Sequence, residues 1–219
     1  MSEDSLGNAH PKPWSAPRAW LKRRIEIWSK GPSPWGDPRA WTRRRVRSWL
    51  KRPLRRLDMR VVDKVGFGNL HRGDFAHVLD VGVAGGTFDL YARCPSAYLE
   101  LFEPHPSRRK AIEGILADRR GRVHGAALGN EPGTATLYLT GVNGSSLYPI
   151  KGKDVRVEVP VARLDEVLDA TEIKRPSLLK IDTEGHEMAV LEGATGLFDV
   201  IDCVVVEVHF DKPHCYQPS

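Results

Sequence analysis

Apolar and polar positions divide this chain into a repetitive first part and a patterned remainder. Residues 78–81 and 98–102 are short, mostly apolar runs, as are residues 178–182 and 201–208. Near-continuous apolar runs of four to eight residues predict parallel strands buried on both faces. Residues 122–127 read as a further core strand. Between these runs lie helix-compatible stretches at 88–93, about 107–117, 164–170 and 186–194. Strands alternating with helices predict a doubly wound α/β sheet. Residues 134–139 and 155–161 alternate apolar with polar and predict a hairpin, with Gly144, Ser145 and Ser146 in its connection.

Residues 1–53 follow another rule. Pro13-Trp14, Pro17-Arg18-Ala19-Trp20, Lys22-Arg23-Arg24 and Trp28 recur 21 residues later as Pro34-Trp35, Pro38-Arg39-Ala40-Trp41, Arg43-Arg44-Arg45 and Trp49. Each copy reads as a proline-primed start and a short basic helix, with Leu21, Ile25 and Trp28 on one stripe and Val46, Trp49 and Leu50 on the other. This predicts a basic, Trp-rich helical arm (1–53), a connecting segment (54–76) and an α/β domain (77–219).

Charge divides the chain in the same way. Residues 1–60 carry 16 Lys or Arg against 5 Asp or Glu, net +11, and the rest carries 17 against 23, net −6. Three partners fit residues 13–51: an anionic membrane surface, through indoles and cations at the headgroups; nucleic acid, through phosphates and base stacking, a weaker fit; or the domain's own core. Three cysteines without framework spacing, an acidic start and no apolar run of transmembrane length predict a cytoplasmic protein that the arm could hold against a membrane.

The chemistry centres on residues 78–86, Val-Leu-Asp-Val-Gly-Val-Ala-Gly-Gly. A strand runs into a glycine loop and then a helix, so the backbone can approach a ligand at the carboxyl end of the sheet. The spacing is Asp80-x-Gly82-x-x-x-Gly86, with an acid ahead of the first glycine, and so departs from the dinucleotide fingerprint. About twenty residues on, the second strand ends in Glu103, placed to accept hydrogen bonds from two ribose hydroxyls. Around Ala127, the small residues 125–129 offer a surface on which an adenine ring could lie. The bland alternative is a βαβ unit whose glycines only make a turn.

Five blocks extend the pattern: residues 78–86; 101–106 (Leu-Phe-Glu-Pro-His-Pro); 159–166 (Val-Pro-Val-Ala-Arg-Leu-Asp-Glu); 178–187 (Leu-Leu-Lys-Ile-Asp-Thr-Glu-Gly-His-Glu); and 204–209 (Val-Val-Val-Glu-Val-His). Together they resemble the FkbM family of S-adenosylmethionine-dependent methyltransferases, and the Lys-Ile-Asp-x-Glu-Gly block is the most specific of them. The resemblance implies a Rossmann-like class I fold, S-adenosylmethionine as donor held by Asp80, Gly82, Gly86, Glu103 and Ala127, and methyl transfer to a hydroxyl, often of a sugar or polyketide. Class I methyltransferases usually add an antiparallel hairpin beyond the fifth strand, and only ten residues follow His209 here. The expectation is a shortened sheet with an exposed edge, or an edge covered by the repeat arm or a partner.

An alcohol is a poor nucleophile until its proton leaves, so a base is wanted at the methyl group. Asp182, Glu184 and His186 crowd the end of the fourth core strand, and His186 has the ordinary pKa best suited to that role. It also reads as a solvated helix-start residue. Glu207 and His209 end the neighbouring strand and could bind the acceptor, and Ser146 could cap it. Lys180 reads as a structural ion pair, and no His/Cys spacing demands a metal. Two other functions compete with O-methylation of a saccharide or related small molecule: methylation of nucleic-acid ribose gripped by the arm, and a non-catalytic binding module.

Overall fold

A computed structural model of the protein describes residues 24–30, 58–62, 67, 75–139, 145–148 and 155–209. In chain order the strands are β1 (Arg24–Lys30), β2 (Asp58–Val62), β3 (His77–Val81), β4 (Tyr98–Phe102), β5 (Gly121–His124), β6 (Ala127–Leu128), β7 (Gly133–Leu139), β8 (Ser145–Ser146), β9 (Arg156–Ala162), β10 (Ser177–Ile181) and β11 (Cys203–His209). The helices are α1 (Phe88–Arg93), α2 (Arg109–Ile115), α3 (Leu164–Val167) and α4 (Glu187–Glu192).

Seven strands form one sheet in the order β2-β1-β11-β10-β3-β4-β5, and every pairing in it is parallel. All five residues of β3 and of β10 are buried, because both faces of the sheet are covered. On one face Val78, Leu99, Leu101 and Leu178 pack with Leu90 and Tyr91 of α1 and Ile112 of α2. On the other, Leu79, Leu179, Ile181 and Val204 pack with Leu164 of α3 and Val190 and Leu191 of α4. Each such side chain, fully buried, contributes roughly 1.5–3 kcal/mol. The sheet is therefore doubly wound, as the apolar runs predict.

Two expectations are corrected. Residues 24–30, read as part of a basic helix, form strand β1 between β11 and β2. The run Arg-Ile-Glu-Ile-Trp alternates with the period of a strand and carries two β-branched isoleucines, and β11 offers an edge that needs a partner. Of the coverings foreseen for that edge, the repeat's own chain supplies one, parallel to β11. The rest of the repeat lies outside the described residues. The strand read over 122–127 is two strands: the chain leaves the large sheet after His124, turns through Gly125 and Ala126, and Ala127 and Leu128 join a second sheet. That sheet, in the order β6-β9-β7-β8, contains the foreseen hairpin as β7 and β9. Ser145 and Ser146 add a short strand to it, and Gly144 lies outside the described residues.

No described helix is long and apolar enough to cross a membrane. Buried charge is paired instead. Glu100, fully buried in β4, accepts hydrogen bonds from Arg122 at 2.8 and 3.0 Å and contacts Nε2 of His124 at 2.6 Å. Burial opposes its charge, but the hydrogen-bonded His124 and Arg122, with His77 3.8 Å away, outweigh that and hold the carboxyl at about 2, against an ordinary 4.5. At the carboxyl ends of β3 and β10 the two backbones nearly touch. Gly82 has φ +78°, and a Cβ there would lie 1.8 Å from the carbonyl oxygen of Asp182.

Two outcomes are expected. A carboxyl whose folded pKa lies below its unfolded one stabilises fully above the unfolded value, and that contribution is lost as pH falls from about 4.5 towards about 2. Glu100→Gln therefore lowers stability at neutral pH and flattens this acid limb in chemical-denaturation curves; an unchanged limb contradicts the pairing. Gly82→Ala costs on the order of 3 kcal/mol in urea unfolding, through strained backbone and backbone contact. A loss below about 0.5 kcal/mol, the size of a surface change, contradicts the close approach.

Candidate active site

The order of strands reverses between β3 and β10, and at such a switch point the loops diverge and leave a crevice beyond the strand ends. A small cleft of about 90 Å³, partly open to solvent, lies there. Gly82, Glu103, Ala127, Ser146, Asp182, Glu184 and His186 line it. The structure thus gathers these seven sequence candidates around one space. Asp80, Gly86 and Glu207 are not among the lining residues, and the side chain of His209 lies outside the described residues.

One wall comes from the ends of β3 and β4. The Gly82 N–H donates to the Phe102 carbonyl at 3.0 Å, and the loop then turns through Ala84 at φ +50°. That turn aims the Ala84 N–H at Oε2 of Glu103, 2.8 Å away. The other oxygen of Glu103 accepts from the His105 N–H at 2.9 Å and lies 3.5 Å from Nη1 of Arg108. Glu103 is 5% exposed, so these donors fix its orientation while lone pairs remain for a diol. Ala126, Ala127 and Leu128 continue this lining with small and apolar side chains.

Asp80, near the end of β3, sits in a buried cluster of polar groups. Fully buried, it accepts from the Tyr91 hydroxyl at 2.5 Å and lies 3.0 Å from Nζ of Lys180. Burial first, and the Asp80 carboxylate next, push the Tyr91 phenol far above its ordinary value. Lys180 is an ion-pair residue, as its place inside an apolar strand suggests. Its ammonium donates to the Gly82 carbonyl at 2.8 Å and lies 3.7 Å from Oδ2 of Asp182. Burial works against that charge, yet Asp80, Asp182 and Glu207 outweigh it and raise the lysine above its ordinary value. Gly86, at φ +114°, packs against Phe88 and Ile115, where a Cβ would meet the Phe88 ring at 2.8 Å.

The facing turn follows β10. Asp182 donates its N–H to the Val81 carbonyl at 3.0 Å, and the chain reverses through Glu184 (φ +53°) and Gly185 (φ +108°). Glu187, 2% exposed at the start of α4, holds this reversal: its Oε1 accepts from Gly185 N–H at 2.8 Å and Thr183 N–H at 3.3 Å. The sequence reading gave Glu187 no role, although a glutamate opening a helix after Gly-His was the signal for a reach back to free N–H groups. Ser146 ties the second sheet to the turn by donating to the Glu184 carbonyl at 3.2 Å. The Tyr148 hydroxyl lies 3.4 Å from Nδ1 of His186, and burial pulls the His186 imidazole below its ordinary 6.5. A neutral imidazole and a carboxylate thus line the same cleft as Glu103, a combination suited to binding a polar ligand and taking a proton. Among the described residues no group of three or more His, Cys, Asp or Glu is placed to hold a metal ion.

The sequence has relatives among known methyltransferases. A family model described as a methyltransferase FkbM domain matches residues 80–217. The chain is 30% identical over 162 residues to Methyltransferase 1 of Beauveria bassiana, covering 62% of this chain and 65% of that protein. It is 40% identical over 45 residues to the hexuronic acid methyltransferase AglP of Haloferax volcanii, covering 20% of this chain and 19% of that protein. The chain thus spans just under two thirds of the first relative's length and about a fifth of the second's. No solved structure matches it. With the family domain laid over β3 to β11 and the cleft at the strand ends inside it, this protein belongs to the FkbM methyltransferase family.

Proposed function

We propose that the protein is an S-adenosylmethionine-dependent O-methyltransferase acting on a hydroxyl of a saccharide or related small molecule. The observation that carries this reading is a single cleft lined both by Glu103, pinned by the glycine loop, and by the Asp182–His186 turn. The residues present fit the donor. Glu103 has lone pairs for a ribose diol, Ala126, Ala127 and Leu128 suit a flat adenine, and the Gly82–Ala84 backbone approaches without bulky side chains. When bound, S-adenosylmethionine supplies a methyl group already activated by its sulfonium.

What remains for the protein is alignment and proton removal. Holding two reactants in attack geometry can supply roughly 7–11 kcal/mol. Asp182 accepts a hydrogen bond from a neighbouring hydroxyl of the acceptor and so orients the one to be methylated. His186 is neutral near pH 7 because it is buried, so it can take the hydroxyl proton, a contribution of roughly 10²–10⁴ in rate. The Tyr148 hydroxyl beside Nδ1 limits how the imidazole can turn. Support for a sugar acceptor comes from the relative described as acting on hexuronic acid, a short match.

Incubation of the intact chain with methyl-labelled S-adenosylmethionine and a panel of free glycans, lipid-linked sugars and RNA is expected to label a glycan hydroxyl. His186→Gln should lower kcat by about 10². The active imidazole is the neutral form and its folded pKa lies below 6.5, so the wild-type rate is full above pH 6.5 and falls as acid protonates it. The variant lacks that limb. Label on RNA alone contradicts the saccharide reading, and a variant with wild-type kcat and pH profile contradicts the base assignment.

A further inference from the structure

Lys180 is a charged residue in the middle of an apolar strand, 4% exposed, with Leu178, Leu179 and Ile181 around it in sequence. Its register partners are Asp80 on β3 and Val205 on β11. A buried ion pair is weak evidence of stabilisation, since two apolar residues of similar volume would avoid the desolvation of both charges. The fold alone therefore gives little reason for an ammonium here. Its other contacts give one. Nζ donates to the Gly82 carbonyl at 2.8 Å and lies 3.7 Å from Oδ2 of Asp182, so one group spans the glycine loop and the facing turn. The Tyr91 hydroxyl holds the far oxygen of Asp80 at 2.5 Å, which keeps the base of this chain of contacts from moving. Asp182, the outermost member, has a side chain 27% exposed and lines the cleft.

We propose that Lys180 is a positioning residue for methyl transfer: anchored on Asp80, it fixes the Asp182 carboxylate at the cleft and locks it to the glycine loop. The proposal rests on the reading that Asp182 orients the acceptor hydroxyl. The ammonium is shared. Asp80 from β3, Asp182 from the turn and Glu207 from β11 all act on it, while the Tyr91 phenol meets Asp80 from α1. Removing the cation takes away the positive charge that these three acids share. Asp182, the member with access to solvent, then takes up a proton more readily and loses the fixed position in which it can accept a hydrogen bond.

Lys180→Met alone strands a buried Asp80 and can unfold the chain, so the test uses Asp80→Asn together with Lys180→Met, which removes both buried charges. The first readout needs no cofactor: carboxyl carbon NMR of the Asp-labelled full chain, with the Asp182 signal assigned through Asp182→Asn. The Asp182 titration midpoint is expected to rise by about one pH unit or more, tenfold in the proton equilibrium. An unmoved midpoint overturns the proposal. The second readout is a cycle with Asp182→Asn. The Asp80/Lys180 double variant should lose tenfold or more in kcat and should add no loss in the Asp182→Asn background. A merely structural lysine would lower the melting temperature and multiply its loss with that of Asp182→Asn, which overturns the proposal. An intact chain without turnover on any acceptor overturns the functional reading and the catalytic half of the proposal together, while the midpoint still decides the link between Lys180 and Asp182.

Discussion

The whole site depends on the near contact between the ends of β3 and β10. At Gly82 the chain passes so close to the Asp182 carbonyl that a side chain has no room, and the Lys180 ammonium joins the same two segments from below. Strand order reverses at this seam. The helices that follow, α1 and α4, therefore pack on opposite faces of the sheet, and the diverging chains leave a cleft beyond the strand ends. Without the close approach, the glycine loop and the Asp182–His186 turn would not share a wall.

Polar groups around the seam are arranged in two layers with different physical demands. Asp80, Lys180 and Tyr91 are buried and satisfy one another, as buried charge must. Glu103, Asp182 and His186 line the cleft, each held by a backbone group, a neighbouring strand or a second-sheet contact. The second sheet is part of this arrangement. Ser146 and Tyr148 reach from it to Glu184 and His186, so the hairpin between β5 and β10 closes the side of the site that the large sheet leaves open.

Much of this was legible in the sequence where local pattern and burial agree. Helix 88–93 and strand 98–102 appear with the boundaries that the apolar runs suggest, because glycine, proline and polar residues delimit segments buried by the sheet. Strand β1 was not legible as a strand. Ile25 and Trp28 fit a helical stripe as well as the run Ile25-Glu26-Ile27 fits a strand, and the decision belongs to β11, nearly 180 residues away in the chain. Asp80 shows the same limit within the site. Its position at a strand end suggests a ligand contact, and the partners that the fold brings to it, Tyr91 and Lys180, come from other elements. Glu187 carried a readable helix-start signal, and its target, the N–H groups of a left-handed turn, became visible only in the fold.

The central claim is that the cleft at the ends of β3, β4 and β10 is a donor-nucleoside site fixed by Glu103. The most direct measurement is isothermal titration of S-adenosylhomocysteine into the intact chain and into Glu103→Ala. The account predicts saturable one-site binding, weakened about tenfold or more when the carboxylate is removed, as loss of hydrogen bonds to a charged group should do. No heat with the intact chain, or equal affinity in the two proteins, would contradict it.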